Sequence, residues 1–391
     1  MKKATHSPNR TVQRWERRTN PMSHQFDVWT PTGEDLKRWV ACLATWPKHE
    51  VYAHPGFLSL FASTTDSIVC IHYQDDAGEV LCPLVLRQLR HLPFAGDDFL
   101  NRLDCTSAPF GIGGPFVRTS GEIHGVTRRF NAAFKSWAHD FRVLSHFTTF
   151  SPVTGPSEGY PGDVVARMPT VVKAIDVKDL EQDIHKQQRK AIRRARRGGV
   201  SVDHDLELAD VAGFLRAYES TSARRGGFSA SYALTRDVVE RIFRVLRNYV
   251  ALFHARVDGR IVSSELVLLS GETVRFFRGG TLSDALATRA NQLLKYEIME
   301  WGRGAGYRWY QLGGGNSVDG DDPLFQYKRS FALSGVRTLH VGNWIVDSEG
   351  YGRLVASRRR HDLDHHHRWS VDRSFFPLYR APLHPAEGDS Q

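Results

Sequence analysis

Residues 312–331 read LGGGNSVDGDDPLFQYKRSF, and this stretch guides the interpretation of the rest of the chain. The apolar and aromatic residues 307–312 predict a strand, and three consecutive glycines then let the backbone bend and approach another group closely. The polar residues 316–322 predict an exposed loop. The aromatic and basic residues 323–329 predict a short helical turn, so the stretch is interpreted as strand, glycine loop and helix.

Lys328 is the residue of this stretch with the clearest chemical potential. It lies between Phe325 and Tyr327 on one side and Phe331 on the other. Aromatic neighbours would partly remove its ammonium group from water, where it would offer charge and hydrogen-bond donors to a phosphate or a developing oxyanion. A surface lysine with a buried aliphatic stem is the alternative. The sequence leaves both interpretations open.

The composition is that of an ordinary globular protein with an excess of positive charge. The chain is 41% hydrophobic and 24% charged, and its 391 residues are enough for two domains. The net charge is +9 and the sequence pI about 9.4. Such a charge favours an anionic partner, such as a nucleic acid, a nucleotide or an anionic lipid head group, without distinguishing among them.

Two features bear on the cellular compartment. The four cysteines lie in the first third of the chain at spacings that match no metal template, so we predict a reduced, cytoplasmic setting. Residues 1–24 are basic and have no apolar core segment, so we predict a disordered tail rather than a signal peptide or a membrane span. Whether Met1 or Met22 is the true start stays open.

The remaining residues predict helices alternating with strands, in two similar halves. The first half has predicted helices at residues 31–45, 57–62 and 121–139 and a predicted hairpin at residues 67–73 and 80–89. The second half has predicted helices at residues 180–197, 208–225, 234–246 and 287–303 and predicted strands at residues 200–202, 250–257, 261–269, 273–278 and 307–312. A mixed sheet with helices on both faces follows, which is an α/β (α+β) fold.

The predicted helix at residues 180–197 is strongly basic. Side chains three and four positions apart share a helix face, and six basic ones do so here. They are Lys186, Arg189, Lys190, Arg193, Arg194 and Arg197. Because few acidic residues lie among them, we favour a face that binds an anion such as a phosphate backbone over an ordinary solvated helix face.

Residues 103–116 contain prolines and glycines that interrupt regular strand pairing. The pattern predicts an irregular segment with an aromatic residue, Phe110, between small ones such as Gly111 and Gly113. It suits the wall of a binding cleft and is equally common in plain loops.

Six segments carry a resemblance to a known family. The order of elements resembles the acyltransferase fold of the GNAT superfamily, used twice in tandem. The motifs resemble those of the FemA/FemB/FemX-like family of aminoacyl-tRNA-dependent transferases. The segments are VYAHPGF (residues 51–57), PFGIGGP (109–115), HKQQRKAIRRA (185–195), NQLL (291–294), the stretch at 312–331, and FFPLYR (375–380).

The resemblance implies an organisation into domains. After the tail it predicts an N-terminal GNAT-like domain at residues 25–176 on the acceptor side. A C-terminal GNAT-like domain at residues 177–346 would hold the donor and the reacting groups. Residues 347–391 would form an extension that docks back onto the domains.

The resemblance also implies a reaction. An amino acid would pass from aminoacyl-tRNA, used as a co-substrate without a bound cofactor, to the amine of a peptidoglycan precursor or a small natural product. Lys328 and Tyr327 match the catalytic positions. The donor side would comprise the basic helix face together with Gly313, Gly314, Gly315, Phe325 and Arg329. The acceptor side would comprise Arg224 (or Arg225 if the alignment slips), Tyr218, Phe110, Gly111 and Gly113.

Other donors and functions stay open. Relatives that use coenzyme A carry an Arg/Gln-x-x-Gly-x-Gly/Ala loop, and residues 278–285, RGGTLSDA, do not fit it. Residues 303–306, RGAG, are interpreted as a helix cap. An acyl-CoA-dependent N-acyltransferase, for example acting on an amino sugar, is therefore the second hypothesis, and a non-catalytic RNA-binding protein is the third.

Three further patterns have structural interpretations. His254 and Glu265 are candidate bases, but we predict buried structural polar residues. We predict no nucleophile elbow carrying a catalytic serine, so a covalent serine intermediate is not expected. Residues 361–367, HDLDHHH, have the types of metal ligands, yet adjacent histidines rarely close a coordination shell, so we predict a polar linker and no metal site.

Overall fold

The computed structural model describes residues 24–46, 50–107, 111–227, 234–366 and 368–383. A single 13-stranded sheet runs through both halves in the order β1-β2-β3-β4-β6-β13-β7-β12-β11-β10-β9-β8, with β5 paired to β3. Its strands are β1 (Gln25–Trp29), β2 (Ser67–Asp75), β3 (Gly78–Gln88), β4 (Leu103–Thr106), β5 (Phe116–Thr119), β6 (Val143–Thr149), β7 (Asp163–Ala174), β8 (Ser201–Asp205), β9 (Val250–Val257), β10 (Arg260–Ser270), β11 (Thr273–Thr281), β12 (Trp309–Gly313) and β13 (Val336–Ile345).

Helices cover the sheet and supply most of its packing partners. They are α1 (Gly33–Ala44), α2 (Pro55–Phe61), α3 (Ile123–Asp140), α4 (Lys186–Arg197), α5 (Val211–Arg224), α6 (Arg236–Leu246), α7 (Ala290–Gly304), α8 (Pro323–Arg329) and α9 (Ser348–His366). The predicted mixed α/β class is confirmed. The four cysteines are free thiols, and among the described helices none combines the length and apolar character needed to cross a membrane.

The two halves are joined by strands that the sequence did not reveal. β13, near the end of the chain, lies between β6 and β7 of the first half and pairs antiparallel with both. The amino-terminal part of β7 is exposed and shows no alternation of buried and exposed residues, so it lacks the usual strand signal. The sheet is therefore continuous across the proposed boundary, and the domain limits stay a prediction.

The second half contains the opening that forms the functional site. β9, β10 and β11 form the predicted antiparallel meander, and α7 then returns the chain to β12. β12 runs parallel to β11, but the two strands pair only at Thr273–Trp309, Val274–Tyr310 and Arg275–Gln311. Beyond these pairs β11 continues to Thr281 and β12 ends at Gly313, so the strands separate and leave a gap between them.

Three sequence predictions about local structure are wrong. The basic helix begins at Lys186 instead of residue 180, because Leu180 and Ile184 are buried in the core and the His185 side chain caps the helix start. Residues 103–106, predicted as irregular, form β4. Residues 361–366 form the end of α9 instead of a linker, with Arg358 and Asp362 paired at 2.6 Å one turn apart on that helix.

The C-terminal residues contact the first half through one buried carboxylate. Asp104 on β4 is fully buried and accepts a hydrogen bond from the Tyr379 hydroxyl at 2.9 Å. It also pairs with Arg87 and Arg380, each with its Nε 2.6 Å from a carboxylate oxygen. This cluster holds residues 378–380 against β4 and β6, where Tyr379 also contacts Ser145 at 2.7 Å.

Replacing Asp104 by asparagine is expected to lower the free energy of unfolding by about 3 kcal/mol, because two arginines lose their buried partner. Asp284→Asn is the matched control, since its pair with Arg260 is more than half exposed and should change stability by under about 1 kcal/mol. Urea denaturation measures both, and limited proteolysis should cut Asp104→Asn first near residues 368–383. Equal stability losses for the two variants would contradict this role of Asp104.

Candidate active site

A cavity of about 920 Å³ lies where β11 and β12 separate, bounded further by α5, α7 and α8. Residues from both predicted substrate sides meet there. Those among the predicted site residues that line it are Tyr218, Arg224, Gly313, Gly314, Gly315, Tyr327 and Lys328. The cavity therefore brings together the glycine loop, the short helix with its lysine, and the predicted acceptor arginine.

The loop between β12 and α8 is held in place by Asp322. Its carboxylate caps α8 by accepting the Phe325 amide hydrogen at 2.8 Å, and it accepts the Asn316 amide hydrogen at 3.0 Å. Pro323 occupies the first helical position, where its missing N–H costs nothing. These contacts fix the entry to α8 and hence the position of Lys328, six residues after Asp322.

Lys328 is buried, with 8% of its surface exposed, and its ammonium group faces the cavity. Its Nζ donates to the carbonyl oxygen of Gly314 at 2.6 Å and lies 5.4 Å from the centre of the Phe276 ring. Burial, and next the positive charge of Lys295, lower the pKa of Lys328 to about 7. The structure thus favours the first sequence interpretation of Lys328 over a surface lysine.

Close contacts, as well as backbone flexibility, require glycine at positions in the glycine loop. Gly313 has a φ of +86°, and a side chain there would reach to 3.4 Å from the Lys328 Nζ. A side chain at Gly314 would come within 2.7 Å of Met168 and 2.9 Å of the Pro169 carbonyl oxygen. The loop therefore passes close to β7 while presenting the Gly314 carbonyl to Lys328.

Tyr327 points to α7. Its hydroxyl donates to the side-chain oxygen of Asn291, whose amide in turn donates to the Ser263 hydroxyl at 3.3 Å. Burial and the nearby carboxylate of Glu265 raise the pKa of Tyr327, so the phenol stays protonated at neutral pH. This chain of hydrogen bonds fixes Tyr327 beside Lys328 and explains the presence of Asn291 in the NQLL motif.

A buried charged group lies beside Lys328 and was missed by the sequence interpretation. Lys295 on α7 is 3% exposed and pairs at 2.9 Å with Glu265 on β10, which is fully buried. The Tyr310 hydroxyl donates to the other oxygen of Glu265. The available signal was a lysine within the largely apolar residues 293–299, LLKYEIM. Glu265 is buried, as predicted, and its partner Lys295 also lines the cavity.

The lining of the cavity is strongly cationic. No carboxylate occurs among the described residues that line it, while seven basic residues do. They are Arg224, Arg225, Arg275, Arg278, Arg289, Lys295 and Lys328. Such a surface attracts anionic ligands and stabilises negative charge that develops in a reaction.

Arg224 and Arg225 differ in how they are held. The Arg224 Nη1 donates to the carbonyl oxygen of Thr281 at 2.8 Å and to the Ser283 hydroxyl at 3.0 Å, so this side chain fastens the end of α5 to β11. Arg225 has no acidic partner among the described residues. The geometry therefore leaves Arg225 more available to an anionic ligand than Arg224.

The basic helix α4 lies outside the cavity but next to α8. The backbone N–H of His185, its N-cap, donates to the Ser330 carbonyl oxygen at 2.8 Å, directly after α8. Its Lys186, Lys190, Arg194 and Arg197 are exposed. Arg193 instead pairs with Glu181 at 2.5 Å, and Arg189 is half-buried. The predicted face is therefore present, with Arg193 partly neutralised.

The remaining predicted site residues do not line the cavity. Phe325 is packed in the core of the second half, and Arg329 is exposed at the end of α8. Gly111 packs against the Tyr52 ring, and the Gly113 amide donates to Thr149 at 2.8 Å. Phe110 lies outside the described residues.

Residues at the position where coenzyme A-using relatives carry their loop have a packing role. Residues 278–281 belong to β11, and a side chain on Gly280 would overlap the backbone oxygen of Ala217 in α5. The glycines there let α5 approach the strand closely. Residues 303–306 end α7, and Gly306 has a φ of +83°, as the predicted helix cap requires.

A cluster of metal-ligand residue types lies in the first half, among Cys42, His72 and Glu79. One oxygen of Glu79 contacts the Cys42 thiol at 3.2 Å and the His72 Nε2 at 2.8 Å, while Arg118 pairs with the other. Burial raises the pKa of Cys42 to about 12, so the sulfur is a thiol and not the thiolate that binds metals. The geometry is that of a hydrogen-bonded cluster.

Comparison with known proteins gives a family match in the second half of the chain. A family model described as an acetyltransferase (GNAT) domain matches residues 182–329, which include α4 to α8 and the cavity. A UDP-N-acetylmuramoylpentapeptide-lysine N(6)-alanyltransferase of Weissella viridescens is 25% identical over 170 residues, or 42% of this chain. Those residues are 48% of that protein, so the chain matches about half the length of this relative.

Solved structures extend the likeness to the whole fold. FemX superposes with a TM-score of 0.58 at 15% identity, over 81% of this chain and 97% of FemX. L-PGS from Bacillus licheniformis superposes with a TM-score of 0.50 at 10% identity, over 84% of this chain and 97% of L-PGS. At these identities the superpositions show the fold alone. Together with the match to the alanyltransferase they confirm the resemblance: residues 182–329 match a GNAT acetyltransferase domain, and the chain is similar to FemX-type proteins.

Proposed function

We propose that the protein is an aminoacyltransferase that forms an amide bond, taking an amino acid from aminoacyl-tRNA. The observation that carries the proposal is Lys328, a buried lysine with a pKa near neutrality that faces a cavity lined by cations. The relative from Weissella viridescens is named for alanyl transfer to the lysine of a UDP-muramoyl pentapeptide. A peptidoglycan precursor or a similar amine-bearing anion is therefore the proposed acceptor.

The proposed reaction is aminolysis of an ester. The acceptor nitrogen attacks the carbonyl carbon of the aminoacyl ester, and the new C–N bond forms as the bond from that carbon to the ribose oxygen breaks. One proton leaves the nitrogen and one joins the ribose oxygen. In its neutral form Lys328 accepts the first proton, and its N–H groups stabilise the oxyanion of the tetrahedral intermediate. Tyr327, held by Asn291, positions the end of the donor.

The basic face of α4 is proposed to bind the tRNA. Its exposed cations lie on the helix that begins beside the end of α8, so a phosphate backbone along α4 would bring its attached ester toward Lys328. Arg225 is proposed to contact phosphates of the acceptor. Charged tRNA is made in the cytoplasm, so the proposal includes a cytoplasmic location.

Reversing two charges on α4, Lys190→Glu with Arg194→Glu, is expected to raise the donor KM about tenfold or more. The slope of log affinity against log salt should also become shallower, because fewer counterions are released on binding. The value of kcat should change little, since neither side chain reaches the cavity. The control is Arg359→Glu with Arg360→Glu on α9, an equal change of net charge at exposed positions. Equal effects of both pairs would contradict a tRNA site on α4.

The acceptor is tested with lysine-containing UDP-muramoyl pentapeptide and a pool of radiolabelled aminoacyl-tRNAs. The expected result is label in the pentapeptide, and none in a pentapeptide whose lysine amine is acetylated. Label in both would show transfer to another group, and label in neither would direct the search to smaller amines.

An acyl-CoA-dependent N-acyltransferase is the second candidate, because the matching family model is described as an acetyltransferase domain. Against it, the glycines at the position of the coenzyme A loop pack against α5 and so have a structural role. A non-catalytic RNA-binding protein would account for the charge of α4 but gives no reason for burying Lys328.

A further inference from the structure

We propose that Lys295, held by Glu265 and Tyr310, is a positioning residue whose fixed positive charge favours the neutral form of Lys328. The inference rests on the proposed function, since it concerns the proton acceptor of that reaction. It assigns a role to a buried ion pair that neither the sequence motifs nor the comparisons single out.

Lys295 and Lys328 lie against one aromatic ring. Their Nζ atoms lie 4.7 and 5.4 Å from the centre of the Phe276 ring. Two ammonium groups thus lie near one aromatic side chain that lines the cavity. Like charges so placed destabilise each other, and the one with fewer compensating contacts is the one that loses its proton.

Lys295 and Lys328 differ in the partners of their ammonium groups. Lys295 has a carboxylate partner, Glu265, whose second oxygen accepts from Tyr310. The only hydrogen bond described for the Lys328 Nζ goes to the carbonyl oxygen of Gly314, at 2.6 Å. A carboxylate stabilises an ammonium ion far more than a carbonyl does, so Lys328 is the lysine whose neutral form this arrangement favours.

The side chains on one face of α7 are aligned with consecutive residues of α8. Asn291 and Lys295 are four residues apart on α7 and therefore share one face. Asn291 accepts from Tyr327, and Lys295 lies near the next residue, Lys328. One face of α7 thus binds Tyr327 through Asn291 and carries the charge of Lys295 near Lys328.

The small net stability expected from the buried Lys295–Glu265 ion pair supports a functional role for it. Burying an ion pair contributes little net stability, and a pair of apolar side chains of similar size often does as well. Lys295 and Glu265 are 3% and 0% exposed, so both charges have lost nearly all contact with water. A buried pair beside the reacting group is the pattern expected where a protein tunes a pKa.

Other charges also face Lys328. From the described elements around it they are Glu265 of β10, Arg275 of β11, Arg225 after α5 and Lys295 of α7. Lys295 is the largest of the charged contributions, ahead of Glu265, whose negative charge acts in the opposite direction. Changing Lys295 and changing Glu265 should therefore move the pKa of Lys328 in opposite directions.

The test is an NMR titration of the full-length protein labelled with ¹³C and ¹⁵N in its lysines, with the Lys328 signal assigned by its loss in Lys328→Met. In Lys295→Met the pKa of Lys328 should rise by about one to two pH units, and in Glu265→Gln it should fall by a similar amount. The double variant Lys295→Met with Glu265→Gln should return it to near the wild-type value. Lys295→Arg, which keeps the charge, should leave it nearly unchanged.

A merely structural role gives a different pattern. If the pair only supports packing, each substitution admits water and raises the pKa of Lys328 toward its ordinary value, including in Glu265→Gln. A rise in that variant, or no change in Lys295→Met, overturns the proposal. The double variant keeps the question answerable if a single variant fails to fold, since it has no unpaired buried charge.

Transfer assays separate this proposal from the proposed function. The low-pH limb of the rate profile should move with the pKa of Lys328, so that Lys295→Met is about tenfold slower than the wild type at pH 7. If opposite pKa shifts appear but no variant transfers an amino acid, the proposed function fails and the charge relation stands. If transfer occurs without the opposite shifts, the role of Lys295 fails alone.

Discussion

Lys328→Met is expected to lower the turnover of amide formation about 10³-fold. The variant loses both the proton acceptor and the donor to the oxyanion, and the loss of one preorganised oxyanion donor alone typically costs 10²- to 10³-fold. Donor KM should change by a much smaller factor, because the tRNA is proposed to bind mainly along α4. Single-turnover measurements with saturating charged tRNA give the rate without the complication of product release.

The matched control is Lys135→Met, the same substitution at an exposed lysine on α3 in the other half of the molecule. It should leave turnover unchanged. A Lys328→Met variant that retains most of its turnover but binds tRNA more weakly would favour the hypothesis of a non-catalytic RNA-binding protein.

The same substitution is expected to stabilise the folded protein. Lys328 titrates near pH 7 when folded and near pH 10.5 when unfolded. Between these values the unfolded chain binds more protons, so the wild type becomes more stable as the pH rises and loses that stability as the pH falls toward 7. Lys328→Met lacks this dependence. At pH 6 its free energy of unfolding should exceed that of the wild type by a few kcal/mol.

Urea denaturation at several pH values from 6 to 10 measures this difference. The gap between Lys328→Met and the wild type should narrow steadily as the pH rises, while Lys135→Met should follow the wild type throughout. A gap that does not depend on pH would show that Lys328 titrates at its ordinary pKa when folded.

Local signals predicted much of the second half. The meander of β9, β10 and β11, the long helix α7 and the short helix α8 follow from hydrophobic period, turns and capping, which depend on neighbouring residues. The site stretch is also local, because the glycine loop lies within 15 residues of Lys328, although the capping role of Asp322 was not predicted. Apart from that cap, these features were therefore available from the sequence.

What the sequence did not reveal depends on contacts between distant residues. β13 pairs with β6 and β7 although long segments of chain separate them, and no local pattern encodes such pairing. Lys295 pairs with Glu265, 30 positions earlier, where α7 packs against β10. Arg224 was predicted as an acceptor contact from the resemblance, and the sequence did not show that its side chain binds Thr281 and Ser283.

The donor is the central claim, and one competition experiment tests it most directly. The protein is incubated with an amine acceptor mixture and either radiolabelled aminoacyl-tRNAs or radiolabelled acyl-CoA thioesters, each with and without ribonuclease. The account predicts that one aminoacyl-tRNA is consumed faster than it hydrolyses without protein, that ribonuclease abolishes this, and that the thioesters are untouched. Consumption of a thioester with indifference to tRNA and ribonuclease would contradict the account and establish acyl-CoA as the donor.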